Sequence, residues 1–315
     1  VKVCFIGNPA AGSGEFQKLV REATAHLSKQ GCTVERVETK DKGDATHLAR
    51  QAAANGFDVV VAVGGDGTIN EICNGLAQTD TSLAVLPAGT ANVYAADIGI
   101  PIWWPLNPNA VIEATEVIMT GQRRQIDLGQ VHLADGTSRY FLMWCGIGLD
   151  AAISQARPST QVRELNYATW IVYGLIVAFD FMGTRATIVT DTGAVKKRIL
   201  LAVVSNGQLY GGLWRLAPEA KMDDGLLDVA IMTGHRWPST IKHVIGLTFR
   251  KHVKDPDFHL YRTTRLFLSA KEALPVHIDA DTIGTTPVEI EVAPLALNVI
   301  VPHNSPARLF TTSGD

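Results

Sequence analysis

The stretch Val60–Glu71 reads Val-Val-Ala-Val-Gly-Gly-Asp-Gly-Thr-Ile-Asn-Glu, and its reading decides the fold class. An unbroken apolar run ends in Gly64-Gly65-Asp66-Gly67-Thr68, and helical spacing begins at once. A strand without polar relief is what a parallel sheet buries on both faces. Glycines at its end allow positive φ and let backbone N–H groups come close to an anion. The helix that follows adds unpaired N–H donors and partial positive charge at its first turn. These residues can build a phosphate cradle from backbone alone. No GK[ST] follows, so this is not the P-loop, and GxGxxG is missing, so it is not the usual dinucleotide fingerprint. Taken alone, the same residues also fit a tight turn capped by Asp66 or Thr68.

Outward from this loop the same grammar repeats. The apolar run Val1–Ile6 ends in Asn8-Pro9-Ala10-Ala11-Gly12-Ser13-Gly14, and Leu83–Leu86 ends in Pro87-Ala88-Gly89-Thr90-Ala91-Asn92. Helices are expected over Phe16–Leu27, Asp44–Ala54, Thr68–Ala77 and Pro108–Thr120, with further strands at Thr33–Val37 and Asp58–Val63. Alternating strands and helices imply a parallel sheet covered on both faces. The three glycine-rich loops then share the carboxyl edge of that sheet, where open α/β sheets bind ligands.

The pattern changes after Gly121. Strands are expected at Arg124–Leu133, Tyr140–Trp144, Arg185–Thr190, Lys196–Val204, Leu227–Met232, Thr264–Ser269, Val276–Asp279, Val288–Val292 and Leu297–Val301, punctuated by Gly and Asp. Two helices interrupt them, Val162–Phe181 and Pro238–His252. The fold class is thus an α/β nucleotide-binding domain with a parallel sheet over residues 1–121, plus an antiparallel β-rich domain over 122–302, with a short segment at 303–315.

With 315 residues, 46% of them hydrophobic, the chain can bury a large core. A net charge of -3 supplies no basic field, so a nucleic-acid partner is not expected. Cys4, Cys32, Cys73 and Cys145 lie far apart without metal spacing, and read as reduced thiols of a cytoplasmic protein. The nine histidines form no HxxxH or HxH pair. Val1 leads straight into a strand-like run, so no signal peptide is expected. The apolar run Tyr167–Phe179 falls short of the roughly 20 residues that span a bilayer. The helix around it is apolar nearly all round, which fits burial in the second domain or a face toward lipid. Ile102-Trp103-Trp104-Pro105 adds a dense aromatic patch.

The ordered set of blocks resembles the diacylglycerol kinase/sphingosine kinase family, and within it the soluble bacterial lipid kinases. Asn8–Gly14, Gly64–Glu71 and Leu86–Asn92 look like its nucleotide-binding blocks. Ile126-Asp127-Leu128-Gly129 resembles the start of its β domain, and Cys145-Gly146-Ile147-Gly148 its glycine-rich turn. Ser205-Asn206, Gly211-Gly212, Pro218 and Asp223–Val229 match a long, specific block. GGDGT alone is shared with NAD kinases and phosphofructokinases.

The resemblance implies an ATP- and magnesium-dependent kinase with a diacylglycerol- or sphingosine-like lipid as acceptor. It places ATP against Asn8, Gly12, Thr39, Gly64, Gly65, Asp66, Gly67, Thr68, Asn70, Glu71, Gly89, Thr90 and Asn92. It places Mg2+ at Asp224 with the carbonyls of Lys221 and Leu226, an oxygen set that a hard cation accepts. The family's Asp-Gly-Glu turn is Asp279-Ala280-Asp281 here, with the glycine and the glutamate replaced. Phosphoryl transfer needs charge neutralised on the γ-phosphate and a hydroxyl held in line. Asp279, Asp281 and Asp66 are the candidate carboxylates to take the hydroxyl proton. Read without the resemblance, the Asp279/Asp281 pair and Asp223-Asp224-Gly225 are polar turns. A lipid acceptor makes peripheral contact with the inner membrane face compatible with a cytoplasmic protein, and edge strands of the β domain leave a homodimer open. Two rivals remain: an NAD kinase-like enzyme, and a nucleotide- or lipid-binding regulator without turnover.

Overall fold

Four parallel strands carry the glycine-rich loops. β1 (Lys2–Gly7), β2 (Thr33–Glu38), β3 (Val59–Gly64) and β4 (Ser82–Pro87) lie in the spatial order β4-β3-β1-β2. The computed structural model describes residues 1–7, 14–102, 107, 109–155, 176–279 and 281–311. Every residue of β3 and β4 is buried, as their apolar runs require, whereas the edge strand β2 alternates with solvent. Helices α1 (Gly14–Lys29), α2 (Asp44–Ala54) and α3 (Asp66–Leu76) form the crossovers. The step from β1 to β2 runs one way along the sheet and the steps to β3 and β4 run the other. Right-handed crossovers therefore send α1 to one face and α2 and α3 to the opposite face. α2 packs on α3, and α1 on α5 (Ala110–Thr120). Between β4 and α5 lies α4 (Val93–Ile98), a six-residue helix too short to show an apolar period.

The second half is antiparallel. Its strands are β5 (Gln122–Leu133), β6 (Ser138–Phe141), β7 (Trp144–Gly148), β8 (Thr184–Thr190), β9 (Gly193–Ser205), β10 (Leu209–Tyr210), β11 (Trp214–Arg215), β12 (Leu227–Thr233), β13 (Phe258–Thr263), β14 (Arg265–Ala270), β15 (Pro275–Ile278), β16 (Asp281–Thr285) and β17 (Val288–Val301). α6 (Leu149–Gln155) follows β7, and α7 (Trp237–Thr248) follows β12. Of the helix expected over Val162–Phe181, residues 162–175 lie outside the described residues, and 176–180 are helical. One apolar cluster, with Phe141, Ile147, Val204, Ile231 and Ile290, sits within the β half. A larger cluster runs from the parallel sheet to Met143, Trp144, Leu201 and Val203, so the two halves share a buried face.

Two strands expected at Val288–Val292 and Leu297–Val301 are one strand of 14 residues. Its pairing with β5 slips between Ala293 and Leu297, where three residues of β17 face Asp127 alone. Asp127 holds the bulge: its Oδ1 accepts from Leu295 N–H at 2.7 Å and its Oδ2 from Gly225 N–H at 2.7 Å. Beyond the bulge β17 pairs in parallel with β4, through Asn298↔Ser82 and Val299↔Leu83. The two halves therefore share one continuous 15-stranded sheet. The chain end returns to the junction, with Leu309 and Phe310 buried and the Arg124 guanidinium 4.5 Å over the Phe310 ring. All four cysteines are free and buried.

Candidate active site

The carboxyl ends of β1, β3 and β4 lie side by side, with Gly7 opposite Val63 and Gly64 opposite Pro87. There the loops after β3 and β4 touch through bare backbone. A Cβ on Gly65 would lie 3.0 Å from Gly89 Cα, and one on Gly89 2.5 Å from Gly65 Cα. Asn92, at φ 48°, closes the second loop: its Oδ1 accepts from Gly89 N–H at 2.8 Å and its Nδ2 donates to Gly89 O at 2.7 Å. Gly67 and Thr68 stand in the first turn of α3, Thr90 is exposed on the β4 loop, and Thr39 N–H donates to Gly7 O at 3.0 Å. The structure thus brings Gly64, Gly65, Gly67, Thr68, Gly89, Thr90, Asn92 and Thr39 to one rim. Asn8 and Gly12 lie outside the described residues. Gly89→Ala is expected to weaken nucleotide binding by about tenfold or more, because the methyl must push the two loops apart. Isothermal titration with an ATP analogue checks it, and unchanged affinity would mean the rim is not the phosphate site.

Three residues expected beside the nucleotide use their side chains elsewhere. Glu71 caps α2, its Oε1 accepting from Gly43 N–H at 2.9 Å and its Oε2 from Ala45 N–H at 3.2 Å. Such a carboxylate satisfies donors that a helix start leaves open. Asn70 is buried and turns toward the β half, donating to Tyr140 O at 3.1 Å and Asp279 Oδ2 at 2.6 Å. Asp66 Oδ1 accepts from the N–H groups of Val93 at 2.8 Å and Tyr94 at 3.4 Å, so it caps α4.

Burial pushes the Asp66 carboxyl up from 3.8 to about 6, with the Asp279 charge adding and the N–H bonds opposing. The folded value stands above the unfolded one. Asp66 therefore opposes folding fully above about pH 6 and not at all below pH 3.8, where both states are protonated. Asp66→Asn is expected to melt higher than the parent at pH 7.5, with the gap closing as pH falls from 6 toward 4. Melting curves across that range check this; a gap that widens on acidification contradicts it.

Asp279 and Asp281, alike in the sequence, differ in place. Asp279 is buried at φ 45°, and its carboxylate accepts four hydrogen bonds. Oδ2 takes Leu142 N–H at 2.9 Å and the Asn70 amide at 2.6 Å, and Oδ1 takes Met143 N–H at 2.9 Å and Trp144 N–H at 3.1 Å. It clamps the 142–144 turn to α3. Asp281 instead sits between two cations, with Lys42 Nζ 2.8 Å from Oδ1 and Arg139 Nη1 3.2 Å from Oδ2. Arg139 also donates to Asn70 Oδ1 at 2.8 Å. Lys42, Asp281, Arg139, Asn70 and Asp279 thus form one polar chain across the junction, with Lys42 on the loop that follows β2.

The turn of Lys221, Asp224 and Leu226 is present, but the Asp224 carboxylate is engaged. Asp224 Oδ2 pairs with the Arg262 guanidinium, and Oδ1 accepts from Leu226 N–H at 3.1 Å. Arg262 also approaches Asp228 Oδ2 at 3.6 Å. Among the described residues no group of three His, Cys, Asp or Glu is placed to hold a metal ion. The Asp224 carboxylate expected to bind Mg2+ is thus paired with arginine in this structure. Asp223 has its own partner, accepting from Thr311 N–H at 2.5 Å.

A family model described as the diacylglycerol kinase catalytic domain matches residues 2–131, and one described as the YegS C-terminal NAD kinase beta sandwich-like domain matches residues 144–301. The chain belongs to the diacylglycerol kinase family. Its class is that of the lipid kinases, which removes the NAD kinase rival at the level of family. It is 28% identical over 306 residues to the diacylglycerol kinase of Bacillus subtilis, covering 96% of this chain and 97% of that protein. The diacylglycerol kinase of Mycobacterium tuberculosis is 27% identical over 311 residues, covering 96% of each. A solved structure of a Bacillus anthracis protein proposed to be a diacylglycerol kinase superposes with a TM-score of 0.77 at 26% identity, covering 96% of this chain and 98% of that one. No helix among the described residues is long and apolar enough to cross a membrane.

Sequence reasoning missed the two cations that pair with Asp281. Lys42 carried a faint signal, lying three residues past Thr39 at the carboxyl edge of the sheet. Arg139 carried none, since a single arginine on an antiparallel strand is ordinary. The glycine-rich turn after Trp144 has a local cause. A Cβ on Gly146 would collide with Asp150 in the first turn of α6 and with His277, whose Oδ2 and Nε2 lie 2.9 Å apart. Tyr210 O–H donates to the same Asp150 oxygen at 2.9 Å.

Proposed function

We propose that this kinase transfers the γ-phosphate of ATP to the free hydroxyl of a diacylglycerol-like lipid, with Asp281 taking the hydroxyl proton. The observation that carries the reading is the backbone contact between Gly65 and Gly89 at the carboxyl edge of the parallel sheet, with Asp281 tied to the loop after β2 on that same edge through Lys42. Bare backbone and a helix start at one point suit a polyphosphate, which needs N–H donors at close approach. Residues 1–121 then supply the nucleotide rim, and 122–302 the acceptor side. Magnesium enters as part of the nucleotide substrate, since Mg2+ keeps its waters and binds phosphate oxygens with few protein ligands. Lys42 and Arg139 hold the Asp281 carboxylate in place at the junction of the two halves, where it is the group assigned to the proton transfer. Asp279 fixes the turn on which that geometry depends.

The relatives named as diacylglycerol kinases favour a glycerolipid over a sphingoid acceptor. The test is incubation of the purified protein with γ-labelled ATP, magnesium and, in separate reactions, diacylglycerol, sphingosine and NAD. Labelled phosphatidic acid is the expected product. Label in NAD or sphingosine alone would reassign the acceptor, and nucleotide binding without product from any of the three would favour a regulator.

A further inference from the structure

The outward face of α7 is apolar. Trp237, Ile241, Val244, Ile245 and Phe249 are between 37% and 68% exposed. Their spacing of three and four residues places them along one side of the helix and the residue that ends it. The inward side is already used by buried His243 and Leu247. Phe179 stacks on Trp237 with ring centroids 5.9 Å apart, and Ile176, Met182 and Val253 extend the exposed surface. A surface helix ordinarily gives its outward side to polar residues, and a contiguous apolar patch marks an interaction site.

Cations bracket this face. Arg236 precedes α7, and Arg250, Lys251 and Lys254 follow it, all of them exposed. The acids in the same stretch are engaged: Asp255 and Asp257 both bond to Lys242 Nζ, at 2.7 and 2.5 Å. Asp180 is the acid on the Phe179 side. In a chain of net charge -3 this is a local concentration of positive charge.

We propose that this face of α7 docks on an anionic lipid bilayer, with Trp237, Ile245 and Phe249 entering the boundary between headgroups and acyl chains. Arg236, Arg250, Lys251 and Lys254 then lie at the height of the lipid phosphates. An apolar helix face rimmed by cations is the pattern of interfacial helices, and anionic headgroups add attraction for each cation. A second copy of the chain fits less well, because a two-fold contact would set the two cationic rims against each other. The choice of a bilayer rests on the lipid-kinase reading, since the acceptor resides there.

The test is cosedimentation of the full chain, without nucleotide, with vesicles of phosphatidylcholine alone or mixed with phosphatidylglycerol. Pelleting with the anionic vesicles, weakened by salt, is the expected result. Ile245→Asp/Phe249→Asp and Arg250→Glu/Lys251→Glu are each expected to lower the partition by about tenfold or more. Both should leave phosphorylation of a short-chain, water-soluble diacylglycerol unchanged. If the apolar pair impairs folding, the charge pair carries the test alone. The proposal is overturned by no pelleting, by equal pelleting on phosphatidylcholine alone, by variants that pellet like the parent, or by a dimer that Ile245→Asp/Phe249→Asp splits. Pelleting by a protein that phosphorylates no lipid would uphold the docking face and count against the kinase reading only.

Discussion

Asp281→Asn is expected to lower turnover by two to four orders of magnitude, about what removal of a general base costs, while nucleotide affinity and melting temperature stay near the parent's. The carboxylate is the less buried, cation-paired member of the Asp279/Asp281 pair, and its two partners come from opposite halves of the chain. Lys42 is 69% exposed, and its ion pair with Asp281 is worth about 0–1 kcal/mol, so the variant should fold normally. Asparagine still accepts from Arg139, but it cannot take up a proton. Asp281→Glu restores the residue of the family's usual turn and should keep most of the activity. Single-turnover rates with a diacylglycerol acceptor, together with nucleotide titration, decide the matter. A near-parent rate for Asp281→Asn would move the proton acceptor elsewhere, with Asp66 the next carboxylate to examine.

The second large effect is on stability. Asp279→Ala removes the acceptor for three buried backbone N–H groups, those of Leu142, Met143 and Trp144, and for the Asn70 amide. A buried donor left without a partner costs about 1–3 kcal/mol, so the three backbone groups together cost about 3–9 kcal/mol. That is a large part of the about 5–15 kcal/mol by which a folded chain outlasts its unfolded state. The variant is expected to melt many degrees lower or fail to accumulate in folded form. Asp279→Asn should be milder, since one oxygen can still accept, although its NH2 then faces donors. Melting temperature and denaturant midpoint are the readouts. If Asp279→Ala melts like the parent and loses only turnover, the roles assigned to the two aspartates are reversed. Two carboxylates two residues apart thus make opposite predictions, one on rate and one on folding.

Much of the parallel half was legible because its signals are local. The uninterrupted apolar runs of β3 and β4 mark strands buried on both faces, and the glycines that end them mark the loops. The helix expected over Asp44–Ala54 matches α2 residue for residue. α4 and α6 were missed because six or seven residues show no periodicity, and α4 is held by Asp66 and Asn92 from outside its own length. The break in β17 was mistaken for a gap between two strands because Pro294 interrupts the pattern. The bulge that carries the strand through is held by Asp127, 168 residues away from Leu295. The apolar positions of α7 likewise mark an amphipathic helix, but its neighbours chose which side turned inward.

The candidate site divides along the same line. The sequence by itself determined the parallel sheet, the glycine-rich turns at its carboxyl edge and the membership of a lipid-kinase family, because these follow from residue type and spacing along a short stretch of chain. Only the tertiary structure decided which aspartate clamps a turn and which pairs with two cations, that Glu71 and Asp66 cap helices, and that Arg262 pairs with Asp224. The physical reason is that a carboxylate's role is set by the donors and cations around it. Those come from afar: Asn70 lies 209 residues from Asp279, and Arg139 lies 142 residues from Asp281.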